Sequence, residues 1–205
     1  MKQIALFAAA AAAALALAAC QKQQDQAADA TAASADAAGA AVNAAQDATS
    51  AAVGAGAAAT GALSTDAFVT GLVTSGMYEI DAGKIAAAKG QSAGVKAFGK
   101  MMVADHTAMG KDADPAIKAS RAAVPTELDE RRKGLIDNLN AASGADFDKA
   151  YLSQQEAAHN EALDLLKGYA ERGDDVGLKA VASGAIAKVQ AHLDKVHELQ
   201  AALPK

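Results

Sequence analysis

The sequence predicts an all-α domain in which four long helices and one short one form a bundle. Two observations carry that prediction. From about residue 65 to residue 203, apolar residues recur at three- and four-residue spacing, with no alternating run bounded by hairpin signals. Breaks containing glycine, proline or serine then cut this stretch into five periodic segments. Composition adds a constraint on the core. Aromatic residues make up only 3% of the chain and tryptophan is absent, so the core has to be built from Ala, Leu, Val, Ile and Met.

The chain opens outside that domain. Lys2 supplies a short positive region, and residues 4–18 form an apolar run of signal-peptide length, short for a stable membrane span. The run ends in Leu17-Ala18-Ala19-Cys20, which resembles the lipobox of bacterial lipoproteins. That resemblance implies removal of residues 1–19, attachment of diacylglycerol to the Cys20 thiol, and acylation of the new amine. Several acyl chains, at about 0.8 kcal/mol per buried CH₂, would make a lasting membrane anchor. Gln21 rather than Asp after the cysteine implies an outer-membrane address, facing the periplasm. The alternative is an ordinary secretory signal followed by a chance cysteine.

Cys20 is the only cysteine, so once it is lipidated no disulfide or thiolate metal site is available. The formal charge of −5 becomes −6 when Lys2 is removed, with 18 basic residues against 24 acidic. No basic run or aromatic-basic interleaving points to nucleic acid. Residues 20–64 are an Ala-, Gln-, Asp-, Thr-, Ser- and Gly-rich tether with almost no large apolar residue to offset the entropy of ordering. The domain proper is residues 65–205.

The first helix opens near Ser64 or Thr65 and lines up Phe68, Leu72, Glu79, Ala82 and Ala86 on one face. After a break at Gly90-Gln91-Ser92, Ser92 caps the second helix, whose apolar stripe is Val95, Phe98, Met102, His106, Met109 and Ala113. Pro115 interrupts this helix: it removes a donor and either kinks the helix or starts a new segment with Asp114 as cap, and the helix is expected to end near Ala122. Thr126-Glu127-Leu128-Asp129 reads as a capping box with Asp in the glutamate's place. It starts a short helix carrying Leu128, Leu135, Ile136 and Leu139, stopped by Ser143-Gly144. At about 17 residues and roughly 25 Å, that helix could carry the chain back along the bundle. A long helix from about Asp146 to Glu171 buries Phe147, Tyr151, Gln155, His159, Ala162, Leu163, Leu166 and Tyr169. The last helix, after Gly173-Asp174-Asp175, buries Leu178, Val181, Ala185, Val189, His192, Val196, Leu199 and Leu203. Two antiparallel hairpins joined by one crossover would make a ferritin-like four-helix bundle with one extra short crossover helix.

Each long helix places one potential ligand on its inner stripe: Glu79, His106, His159 and His192. Their depths agree. Glu79 lies about 11 residues before the first turn and His106 about 15 after it, a mismatch of roughly 6 Å at 1.5 Å per residue. His159 and His192 show the same offset about the second turn. His197 points away from its stripe. Oxygen and imidazole ligands suit Fe, Mn, Zn or Cu, and facing helices of a bundle are where such sites are built. Asp105, Gln155 and Glu156 are candidates to orient these ligands from behind. Glu156-Ala157-Ala158-His159 fits the Glu-x-x-His pattern of di-iron bundles, but Val103 stands where a second such glutamate would precede His106. A mononuclear site or a polar core network therefore suits the residues better. Imidazole binds metal when neutral, so affinity should fade below about pH 6.

Phe68-Val69, Gly76-Met77-Tyr78-Glu79, Val95-Lys96-Ala97-Phe98 and Met102-Val103-Ala104-Asp105-His106 together resemble a bacterial domain-of-unknown-function family (four-one-four-two). Phe147-Asp148-Lys149-Ala150-Tyr151, Ala158-His159 and Ala191-His192-Leu193 extend the resemblance over residues 65–203. It implies a ferritin-like fold and an outer-membrane setting, and no established activity. Gly99 and Pro115 depart from the more regular helix expected there. Two functions remain open from sequence. One is an envelope domain that binds a transition metal for storage, sensing or stress protection. The other is a helical envelope or partner-binding module whose buried Glu/His set is only a hydrogen-bond network. No nucleophile is paired with a histidine and an orienting group, so no enzyme class is indicated.

Overall fold

A computed structural model describes residues 64–204, and all regular structure in that span is α-helical. Helix α1 covers Thr65–Lys89, α2 Ala93–Ser120, α3 Glu130–Ala141, α4 Gly144–Arg172 and α5 Val176–Ala201. Helices α1 and α2 pair as one hairpin and α4 and α5 as another; α1 also packs on α4, and α2 on α5. Between the hairpins runs α3, which leans on α1 and α4. The expected signal peptide, Cys20 and the tether lie outside the described residues. No described helix is long and apolar enough to cross a membrane.

The caps explain where the helices begin. Ser64 Oγ accepts from Ala67 N–H at 3.3 Å, Ser92 Oγ from Val95 N–H at 3.1 Å, and Asp175 Oδ1 from Leu178 N–H at 2.8 Å. The α1–α2 turn is held a second way. Buried Asp148 accepts from the N–H groups of Gln91 and Ser92, both at 2.8 Å, fixing the turn against α4.

Three boundaries differ from expectation. Helix α3 begins at Glu130, not at the Thr126 box, because Asp129 takes the cap and accepts from Arg132 N–H at 2.8 Å. It is therefore 12 residues long, shorter than the sequence suggests. Helix α4 starts two residues early, at Gly144, whose φ of +60° glycine adopts without the Cβ penalty. Pro115 does not divide α2, which continues to Ser120 and ends on Arg121 in the left-handed conformation.

The core falls into two parts. One gathers Tyr78, Phe98, Met102, Leu139 and Tyr151; the other gathers Phe68, Leu163, Leu166, Tyr169 and Leu178. At the far end of the second part the Phe68 and Tyr169 rings stack at 3.9 Å. Leu72, Ala162, Val181 and Ala185, expected inside, are half-buried, whereas Val69, Leu152, Ala182 and Leu193 are buried although periodicity does not single them out. Close neighbours on a helix stripe differ in depth once the partner helices are placed. The two parts of the core are separated by a layer of polar side chains, described below.

Gly99 has a packing reason. A Cβ on Gly99 would stand 2.6 Å from the Gly83 carbonyl oxygen, and one on Gly83 2.7 Å from the Gly99 carbonyl oxygen. The two backbones touch there, and backbone cannot rotate aside. Gly99→Ala is therefore expected to lower stability by about 1–3 kcal/mol, the usual cost of overpacking. Gly110→Ala, in the same helix with open space around it, should instead raise stability by about 0.4–1 kcal/mol. Chemical denaturation of both variants checks the pair of signs.

Candidate metal centre

Three histidines meet between the two core parts. His106 comes from α2, His159 from α4 and His192 from α5, and one ligating atom from each lies within 4.8 Å of the other two. Their ring centroids are 5.5–6.0 Å apart. The stripe on each helix is what delivers them: Met102 and Met109 flank His106 one turn away, and Val189 and Val196 flank His192 in the same way.

Hydrogen bonds fix the direction of two of the lone pairs. His159 Nδ1 is 2.8 Å from the Gln155 carbonyl oxygen, which can only accept, so Nδ1 carries the proton and Nε2 the lone pair. His192 Nε2 is 2.9 Å from Asp105 Oδ2, so it donates to the carboxylate and Nδ1 holds the lone pair. The remaining nitrogens, His159 Nε2 and His192 Nδ1, are buried and have no partner; His106 Nε2 is in the same state. Buried nitrogens are rarely left this way. A carboxylate or carbonyl behind an imidazole, with the other nitrogen facing inward, is the usual arrangement around a histidine metal ligand.

The other predicted residues fall into place around this trio. Asp105 orients His192 across the helix interface and also sits 3.5 Å from Lys188 Nζ. Gln155 acts on His159 through its backbone carbonyl, while its side-chain amide is buried close to the Glu79 carboxyl without a fully formed hydrogen bond. Glu79 is buried, but it meets the cluster at the proton-bearing edge of His159, with Oε1 3.8 Å from Nδ1. It is not part of the three-nitrogen group. Glu156 is outside the cluster altogether: it faces α5, accepting from Gln200 Nε2 at 2.7 Å and lying 3.4 Å from His197. His197 is exposed, as its position on the helix requires.

Three further groups border the layer although the sequence does not mark them as candidate site residues. Buried Tyr78 donates to Gln154 Oε1 at 2.9 Å, Tyr151 has a buried hydroxyl without a partner, and Lys188 holds Asp105 from the outside. The signal is present for one of them: Tyr151 lies one turn before Gln155 on the inner stripe of α4. Tyr78 and Gln154 are reached only through tertiary packing.

Burial dominates the electrostatics. It pushes the His106 imidazole down to about 3, helped by its two histidine neighbours, and His159 down to about 4. His192 is also lowered by burial, against the pull of Asp105. Burial would raise Asp105, but its bond to His192 and the Lys188 charge outweigh that and hold it below its ordinary value. Burial raises Glu79 to about 8, opposed by the Gln155 side chain and Arg132. At neutral pH the layer thus holds three neutral imidazoles and a mostly protonated carboxyl. His106 and His159 stay in their ligating form well below pH 6, where exposed histidines would already be charged.

Three neutral imidazoles, two of them with the lone pair directed by the bond behind the ring, are a donor set that could hold Fe, Mn, Zn or Cu. For nitrogen distances of 2.0–2.1 Å, ligand atoms in a tetrahedral site sit about 3.4 Å apart, so the rings must close by roughly an ångström. A metal held by three protein ligands would keep a coordination position for water or another molecule.

A family model described as a domain of unknown function (DUF4142) matches residues 48–199. The chain belongs to the DUF4142 family. The three clustered histidines, His106, His159 and His192, fall inside the matched span together with Glu79 and Asp105. No curated protein and no solved structure matches the chain.

Proposed function

We propose that this DUF4142 protein is a ferritin-like module, held at the cell envelope by lipid on Cys20, that binds a divalent transition metal through His106, His159 and His192. The observation that carries the proposal is the convergence of three buried, unpartnered imidazole nitrogens, two of them directed inward by the bonds behind them. Glu79 supplies charge balance: a cation in this layer favours loss of its proton, turning a neutral neighbour into an anion beside His159. Its role is thus to compensate the charge rather than to be one of the three nitrogen ligands.

Zinc added to metal-stripped full-length protein should raise stability by RT ln(1 + [L]/Kd), about 2.7 kcal/mol at a hundredfold excess over Kd. His192→Ala should remove that gain and His197→Ala should keep it. Thermal melting with and without zinc measures both. A second reading is favoured by one observation: the layer is uncharged at neutral pH and so can persist without a metal. Under that reading the domain is a partner-binding module with a buried Glu/His network. Zinc would then leave the wild-type melt unchanged, and His192→Ala would lose stability to the same extent in either condition.

The anchor rests on Leu17-Ala18-Ala19-Cys20. Cys20→Ser should leave the membrane fraction and take up no labelled fatty acid. Unchanged membrane association with unchanged labelling would rule out the lipid. With the membrane as its partner and no basic surface run, the protein is not expected to bind nucleic acid.

A further inference from the structure

One side of the bundle opens into an apolar cavity of about 820 Å³ that reaches inward to His106. Its floor is Ala113, Ile117, Leu166 and Val189, all buried. Its size lies in the range of small-molecule sites, which are typically about 300–1,000 Å³ and mostly apolar. We propose that this cavity binds a neutral, mainly aliphatic small molecule, its body along the apolar walls and its end towards His106.

Three features support that choice of occupant. First, α1, α2 and α5 each place a glycine on the wall: Gly76, Gly110 and Gly184. Inside a helix a glycine costs roughly 1 kcal/mol relative to alanine. At Gly83 and Gly99 close backbone packing explains the glycine, but a Cβ on any of these three would meet nothing within 4 Å. The protein's own packing therefore gives no reason for them, and each widens the same space. Second, the cations on the wall already face acids. Lys118 Nζ is 2.7 Å from Asp114 Oδ2, and Lys188 Nζ is 3.5 Å from Asp105 Oδ1. That leaves no unmatched positive charge for an anionic ligand; the lining carboxylate without an ion pair among the described residues, Asp112, is exposed to solvent, so a neutral body is what the apolar walls complement. Third, apart from the His106 imidazole no aromatic ring lines the cavity, so the walls offer dispersion contact with aliphatic chains and no stacking platform.

This inference extends the metal proposal, since a molecule ending at His106 would lie beside the metal's open position, but binding to the walls does not require the metal. The test uses the fluorescent neutral probe N-phenyl-1-naphthylamine on full-length protein in chelator. Saturable binding of one probe per chain is expected, with 1-dodecanol displacing it at least tenfold more effectively than dodecanoate or dodecylamine. Gly76→Leu and Gly110→Leu, which fill the cavity, should weaken probe binding at least tenfold while circular dichroism shows the fold intact. His159→Ala, which does not line the cavity, should abolish zinc stabilisation and leave probe affinity unchanged. A failure of the metal proposal alone would thus appear as a zinc result only. Absence of saturable binding to the wild type would overturn the inference, as would equal displacement by the charged amphiphiles. So would a wild-type dimer, seen by sedimentation, that excludes the probe and becomes monomeric in Gly110→Leu; that result would make the cavity a contact between copies of the chain.

Discussion

Metal-free protein should lose several kcal/mol of stability between pH 6.5 and pH 4, and the histidine layer should account for most of the loss. The ordinary histidine value is 6.5, whereas His106 is held near 3 and His159 near 4 in the folded state. As pH falls through 6.5 the unfolded chain takes up protons that the folded chain refuses, so the unfolded state gains. The contribution is fully present above pH 6.5 and disappears as pH approaches the folded values. Lowering a group's pKa by one on folding is worth about 1.4 kcal/mol, so these two strongly shifted imidazoles outweigh any exposed group on the surface. Denaturant unfolding at a series of pH values measures the slope. His106→Gln, which cannot be protonated, should flatten it by roughly half. An unchanged slope would mean that the layer admits protons more readily than its burial implies.

The opposite slope should come from Glu79. Its carboxyl is raised from an ordinary 4.5 to about 8, so between those values the folded state holds a proton that the unfolded state has released. Its effect is therefore neutral at low pH and increasingly destabilising as pH rises through the window, reaching a few kcal/mol above pH 8. Glu79→Gln keeps the shape and removes the ionisation. It should stabilise the metal-free protein by a few kcal/mol at pH 8.5 and by little at pH 4.5. Together with the histidine contribution, this places maximal metal-free stability near pH 6.5. Metal reverses the sign of the substitution: with zinc bound, an ionised Glu79 balances the ion's charge, and Glu79→Gln should weaken zinc affinity at pH 8.5. If the variant melted like wild type at both pH values in the absence of metal, the carboxyl would not be held in a dry site.

Much of this centre is legible from helical periodicity. His106, His159 and His192 stand on inner stripes at matching depth, and a bundle with short hairpin turns then leaves them little freedom except to meet. Glu79 satisfies the same two criteria and still falls outside the nitrogen group. Face and depth place a Cα to within about a turn, but which ring nitrogen a carboxylate approaches depends on rotamers that periodicity does not constrain. Asp105 shows the converse: one residue from His106 in sequence, it serves His192 on another helix. Glu156, three residues before His159, fits a familiar ligand spacing, yet its place at the stripe's edge turns it towards Gln200 and His197. The start of α3 is ambiguous in sequence because Thr126 and Asp129 are both acceptable caps, and local chemistry alone does not rank them. Gly99 reads as an interruption of its helix until its partner across the hairpin, Gly83, supplies the reason.

Whether three imidazoles hold one metal ion is tested most directly by X-ray absorption on protein loaded with one equivalent of zinc after metal stripping. The expected result is tight retention of that equivalent through desalting, with about three imidazole nitrogens at 2.0–2.1 Å and one lighter ligand, water or oxygen, completing the sphere. Loss of the zinc on desalting, or a spectrum of fully hydrated zinc with no imidazole scattering, would contradict it.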